Sequence, residues 1–121
     1  MDNAQQLADR YAAAWTLPDA DARAAAIAGL WVEDGVHYVG TREARGYAAL
    51  AERVRGSYEK NVRDAGNTFR ARRDARQLRD VVTFTWEMVP AGSDEVLAVG
   101  LEFLQVDPSG RIVADYQFII A

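Results

Sequence analysis

VLAVGLEFLQVDPSGRIVADYQFII, residues 96–120, decides the fold. Apolar side chains recur at every second position on both sides of DPSG, a turn signature, so the stretch reads as two antiparallel strands. In the first of them Val96, Ala98, Leu104 and Val106 share one face and Leu97, Val99, Leu101 and Phe103 the other. Successive side chains of a strand point to opposite faces, and here both faces are apolar. That pattern predicts cover on both sides, by helices on one and by a partner subunit on the other.

Glu102 interrupts this strand on the face of Ala98, Gly100 and Leu104. An ionised carboxylate without a partner is expensive there, so Glu102 is either paired, for instance with Arg53 or Arg55 of a preceding helix, or functional. A four-residue loop, Asp107 to Gly110, pairs Val106 with Arg111 and sets Glu102 opposite Asp115. Two carboxylates so placed repel, and one of them should hold a proton near neutrality. A three-residue loop with a bulge at Gly110 pairs Glu102 with Tyr116 instead and turns Asp115 away. Periodicity alone favours solvent for Asp115 and Gln117.

Two more strands precede this pair. VVTFTWEMV places Val82, Phe84, Trp86 and Met88 on one face and Thr83, Thr85 and Glu87 on the other, and FRARRDA begins the period-two run near Thr68. Upstream the period is helical. Leu7, Tyr11 and Ala14 or Trp15 mark a first helix from about Asp2 to Leu17, stopped by Pro18. Asp19 or Asp21 caps a second, carrying Ile27, Leu30 and Trp31, before Glu33, Asp34 and Gly35 turn the chain into a strand from Val36 to Gly40. After a polar link, TREARG, the positions Tyr47, Leu50, Val54, Tyr58 and Val62 mark a third helix, closed by Gly66. Three helices followed by a run of antiparallel strands make an α+β domain.

The chain has 121 residues, half of them apolar, which suffices for one core and not two. Without cysteine, thiolate nucleophiles, disulfides and Cys-based zinc sites are excluded. With one histidine, no metal and no cofactor is expected. The polar, acidic start MDNAQQLADRYAAAW lacks the pattern of a signal peptide, and no apolar run spans a bilayer, so a cytoplasmic protein without membrane contact is expected. A net charge of −4 argues against nucleic acid, and RARRDAR, residues 70–76, reads as a solvated strand face.

YAAAW, LWVEDGVHYVG, Gly46 at the start of the third helix, FTWEMV and GLEFLQVDPSGRIV with its final strand resemble, over nearly the whole chain, the SnoaL-like branch of the nuclear transport factor 2-like superfamily. The resemblance implies a single SnoaL-like domain over 1–121 with a cone-shaped, cystatin-like fold. In that fold three N-terminal helices pack on a strongly curved, mostly antiparallel sheet that encloses a pocket, usually in a homodimer. Set against ketosteroid isomerase, Tyr11 and Glu102 fall at the two oxyanion-hole positions, whereas Val39 and Gly40 stand where the family's Asp-Pro pair supplies the general base. Set against limonene epoxide hydrolase, Trp86 and Met88 replace its Arg-x-Asp pair and Gln117 its second aspartate. Neither mechanism survives as such.

The resemblance also implies that Val113, Asp115, Gln117 and Ile119 line the cavity, which reverses the solvent reading of Asp115. His37 shares the face of Val39, on a strand that neighbours the last one in the family, and so comes within reach of Asp115. The expected site is therefore His37 as general base oriented by Asp115, with Tyr11 and Glu102 donating hydrogen bonds to a developing oxyanion. Trp15, Val39, Val54, Trp86, Met88 and Gln117 are expected to surround a small apolar carbonyl compound undergoing isomerisation, dehydration or cyclisation. Two alternatives stand beside it: a non-catalytic binding module or dimeric scaffold with the same cavity, and a His37 that is a partly exposed strand residue without chemistry.

Overall fold

The computed structural model describes residues 3–121. Helix α1 spans Ala4–Ala14 and begins with a reciprocal cap: the Asn3 side chain accepts from the Gln6 N–H while Gln6 accepts from the Asn3 N–H. The expected start at Asp2 lies outside the described residues. Helix α2, Ala20–Leu30, is capped by Asp19, which accepts the Ala22 N–H at 2.9 Å. Helix α3, Gly46–Ser57, continues as a π-helical turn over Tyr58–Asp64 and ends before Gly66, whose φ of 73° suits the left-handed close of a helix.

Seven strands form one sheet: β1 Trp31–Val39, β2 Arg42–Arg45, β3 Asn67–Ala71, β4 Arg76–Leu78, β5 Val81–Pro90, β6 Ala98–Val106 and β7 Ile112–Ile119. Their order is β2-β1-β7-β6-β5-β3, with β4 also on β5; among the described residues only β1 and β7 run parallel. The helices cover the inner face, where Leu7, Tyr11, Trp15, Ile27, Leu30, Leu50, Val54, Phe84 and Leu104 form the core. This is the α+β cone expected from the sequence.

Three local expectations need correction. Glu33, Asp34 and Gly35 do not turn the chain; they bulge within β1, whose pairing with β7 slips between Trp31 and Val36. Gly35 is required there, since a Cβ would lie 2.8 Å from the Trp31 ring and 3.0 Å from the Ile112 carbonyl. TREARG is no mere link, because Arg42–Arg45 pairs with β1 as a strand.

The third correction concerns the DPSG hairpin, which follows neither register considered. Val106 pairs with Ile112, not Arg111, and one extra residue on β7 then sets Leu104 opposite Asp115 and Glu102 opposite Gln117. The Asp107 carboxylate accepts from the N–H groups of Ser109 and Arg111, which lengthens the loop to Asp107–Arg111. Val113 is the bulged residue and stands outward, 37% exposed, so it does not line the cavity. The bulge restores the face of Asp115, which is fully buried.

RARRDAR is held by carboxylates at the surface: Arg70 and Arg72 both bind Glu87, Arg70 reaches Asp94, and Arg73 binds Asp9.

Candidate active site

Four elements deliver four polar side chains to one point inside the cone. The parallel pairing of β1 with β7 sets His37 beside Asp115. The antiparallel pairing of β6 with β7 leaves Glu102 diagonal to Asp115 on the same face. Tyr11 descends from α1, one helical turn before Trp15. All four are buried, with exposures of 1% for His37, 0% for Glu102 and Asp115, and 2% for Tyr11.

The contacts are short. His37 Nδ1 lies 2.8 Å from Asp115 Oδ2, and the Tyr11 hydroxyl lies 2.5 Å from the same oxygen and 2.9 Å from Glu102 Oε1. Trp86 Nε1–H donates to Glu102 Oε2 at 2.6 Å. No arginine pairs with Glu102: Arg53 stacks over Trp15 with its guanidinium carbon 4.9 Å from the ring, and Arg55 binds Glu52 at 2.6 Å.

Counting hydrogens assigns the protons. A phenol carries one hydrogen, and Tyr11 touches two carboxyl oxygens. If Tyr11 and His37 Nδ1–H both donate to Asp115, the Glu102 contact needs a hydrogen from Glu102 itself. Burial and the neighbouring Asp115 charge push Glu102 well above the usual carboxylate range, which agrees with that assignment. Burial also acts to raise Asp115, but the electrostatic attraction and hydrogen bond of His37, with the bonds from Glu102 and Tyr11, hold it below its ordinary value. Burial and the two carboxyl groups raise the Tyr11 phenol, keeping it neutral. Thus one carboxyl is a proton holder and the other an acceptor. Two atoms of the cluster stay without a partner, His37 Nε2 and Asp115 Oδ1.

His37, Glu102 and Asp115 bring donor atoms within 4.8 Å of one another, a spacing a metal could use. Both oxygens of Glu102 and one of Asp115 are already engaged by Tyr11, Trp86 and His37, however, while a structural zinc takes four donors and a catalytic one three. The set is better matched to a hydrogen-bonded acid pair.

Beside the cluster lies a cavity of about 470 Å³. Trp15, Val39, Trp86, Met88 and Gln117 stand on its wall, and so does Tyr11. Val54 does not; it is 1% exposed and sits in the core, because α3 turns Arg53 and Ser57 to the cavity instead. His37, Glu102 and Asp115 lie behind the wall, and His37 borders a second crevice that shares Val39, Arg42, Glu52 and Arg53 with the first. The spacing 53, 57, 61 is a helical i, i+4 stripe, so the polar side of α3 was legible beside the apolar stripe of Leu50 and Val54. Arg42 carries no comparable signal, because the polar stretch TREARG has no apolar alternation to mark a strand.

No protein-family model matches the chain, and no curated protein matches it. Solved structures do. A SnoaL-like family protein from Agrobacterium tumefaciens, described as a candidate isomerase, superposes with a TM-score of 0.86 at 19% identity over 98% of this chain and 97% of its own. A candidate polyketide cyclase from Sinorhizobium meliloti gives a TM-score of 0.66 at 12% identity over 93% and 94%. A nuclear transport factor 2-like protein with a cystatin-like fold from Novosphingobium aromaticivorans gives 0.66 at 25% identity over 96% and 79%. The chain has the cystatin-like cone of the SnoaL-like and nuclear transport factor 2-like proteins. At these identities the likeness defines the fold, and chemistry must be argued from this chain's own residues.

Proposed function

We propose that the protein is a cofactor-independent acid/base enzyme acting on a small, largely apolar carbonyl compound by isomerisation, dehydration or cyclisation. The observation that carries the reading is His37, whose Nδ1 is fixed by Asp115 at 2.8 Å while its buried Nε2 has no partner. An imidazole held through Nδ1–H presents an acceptor lone pair at Nε2, the arrangement a general base needs. Tyr11 is on the cavity wall and accepts from protonated Glu102; turning its one hydrogen from Asp115 to the cavity makes it the candidate donor to an oxyanion.

The test is turnover of enones, β-hydroxy ketones, epoxides and polyketide mimics by the native protein, His37→Ala and Glu102→Gln. His37→Ala is expected to lose about a hundredfold or more in kcat/KM, the contribution of one positioned base. Equal turnover in the three proteins rejects both residues as catalytic.

A second reading, a binding module without turnover, is favoured by one observation: none of His37, Glu102 and Asp115 stands on the wall of the cavity that Tyr11, Trp15 and Trp86 line. Saturable ligand binding in that cavity with no chemical change across the same compounds would select it.

The protein is also proposed to be a homodimer through the outer face of β6 and β7. Phe103, Tyr116 and Phe118 are 40%, 42% and 54% exposed there, and Tyr116 contacts both Phe103 and Tyr38 ring to ring. An apolar patch of this kind on a sheet face is the usual mark of an interface. Sedimentation should give a dimer at micromolar concentration and a folded monomer for Phe118→Asp; a monomeric native protein rejects the interface.

A further inference from the structure

The cavity beside the cluster has two unlike walls. On the sheet side Phe69, Trp86, Met88 and Ile119 are apolar, while on the other side α3 and β2 present Arg53 and Arg42. Arg53 is half-buried, its Nε is enclosed without a hydrogen-bond partner, and its guanidinium carbon lies over Trp15, 4.9 Å from the ring centroid. Among the described residues neither arginine has a carboxylate partner. Glu52, also on the wall, is paired with Arg55 at 2.6 Å. Ser57 and Asn61 continue the polar stripe from Arg53.

A guanidinium partly enclosed beside apolar surface with no carboxylate in contact is costly, and a bound anion reduces that cost. Stacking on Trp15 fixes the fork in advance, so little freedom is lost when it closes on two oxygens. Burial and the nearby charge of Arg42 lower the Arg53 pKa, and the buried Tyr11, Glu102 and Asp115 offset this only in part; a contacting anion acts in the same relieving sense. A singly charged group suits this place better than a phosphate dianion, which would cost more to desolvate and would be repelled more strongly by Glu52.

We infer that the cavity takes a small organic acid, its apolar body against Trp86 and Phe69 and its carboxylate on Arg53 and Arg42. The inference rests on reading the cavity as a small-molecule site and adds the charge of the ligand. Arg53 lies over the same Trp15 whose ring is 5.4 Å from that of His37, so the acid end would anchor the compound beside the proposed base.

The test uses two probes of equal shape, 4-phenylbutyrate and 4-phenylbutanamide, with binding measured by isothermal titration and by Trp15 and Trp86 fluorescence. The acid should bind the native protein at least tenfold more tightly than the amide, and added salt should weaken the acid alone. Arg53→Gln should bring the acid down to the amide while leaving the amide within about twofold. Arg53→Lys should retain part of the preference and Arg42→Gln should reduce it, each with unchanged thermal unfolding. Equal binding of the two probes, or an acid preference that survives Arg53→Gln, overturns the carboxylate site and leaves the small-molecule cavity standing. Binding of neither probe at millimolar concentration overturns both.

Discussion

Alanine at position 102 is expected to destabilise the protein by about 3–5 kcal/mol, whereas glutamine there should cost almost nothing near neutrality. Truncation leaves a cavity at a position with 0% exposure and strips partners from the Trp86 N–H and the Tyr11 hydroxyl. Glutamine matches the protonated acid in shape, keeping an acceptor for Trp86 and a donor toward Tyr11. Chemical denaturation of the two variants at pH 7 measures the difference; similar losses in both would mean that the carboxyl hydrogen is not part of the network.

The pH dependence gives the same claim a sign. The folded state holds the Glu102 proton well above the ordinary value of 4.5, so above that value the unfolded chain releases a proton that the native protein keeps. Glu102 therefore contributes stability that is fully present below pH 4.5 and declines as pH rises toward its folded value. The slope is at most about 1.4 kcal/mol per pH unit. Asp115 works in the opposite sense: its contribution is present above its ordinary value of 3.8 and is lost as pH falls below it toward the depressed folded value. Relative to the native protein, Glu102→Gln should gain stability steadily on the alkaline side of pH 4.5. A constant difference from pH 5 to 8 would contradict a protonated Glu102.

Alanine at Gly100 is the other large effect expected, about 3–4 kcal/mol of destabilisation from overpacking together with a broken buried hydrogen bond. A Cβ there would lie 2.1 Å from Trp86 Cε2 and Cζ2 and 2.5 Å from Nε1. The indole lies directly across Gly100, its partner in the β5–β6 pairing, and only that approach brings Nε1–H to Glu102. Displacing the ring should also shift tryptophan emission and reshape the cavity wall. Coupling should appear in a double-mutant cycle: Gly100→Ala should cost much less beside Trp86→Leu than beside Trp86. Equal costs in both backgrounds would show that the clash is absorbed elsewhere.

These residues show how far the sequence reaches. Helical periodicity located Tyr11, Trp15, Leu50 and Val54, and strand alternation located Phe84, Trp86 and the buried Glu102, because both periods follow from local backbone geometry. The resemblance, carried by short aromatic motifs, supplied the cone and put Asp115 on the inner face. It could not supply the β7 bulge at Val113, since an unpaired residue leaves no mark in a pattern of alternation. Nor did it show that α3 turns Arg53 rather than Val54 to the cavity, because a stripe fixes one face of a helix and not what lies opposite the other.

From sequence alone came the three helices, the antiparallel run, the absence of thiol chemistry and the four residues of the cluster as candidates. Tertiary structure alone decided that His37 and Tyr11 converge on one oxygen of Asp115, that Glu102 bonds to Tyr11 and Trp86 rather than to arginine, and that the three acid and base groups lie behind the cavity wall. The reason is physical: periodicity records which side of one element is apolar. Proton sharing and cavity shape depend instead on distances of a few tenths of an ångström between elements 16 to 104 residues apart in the chain.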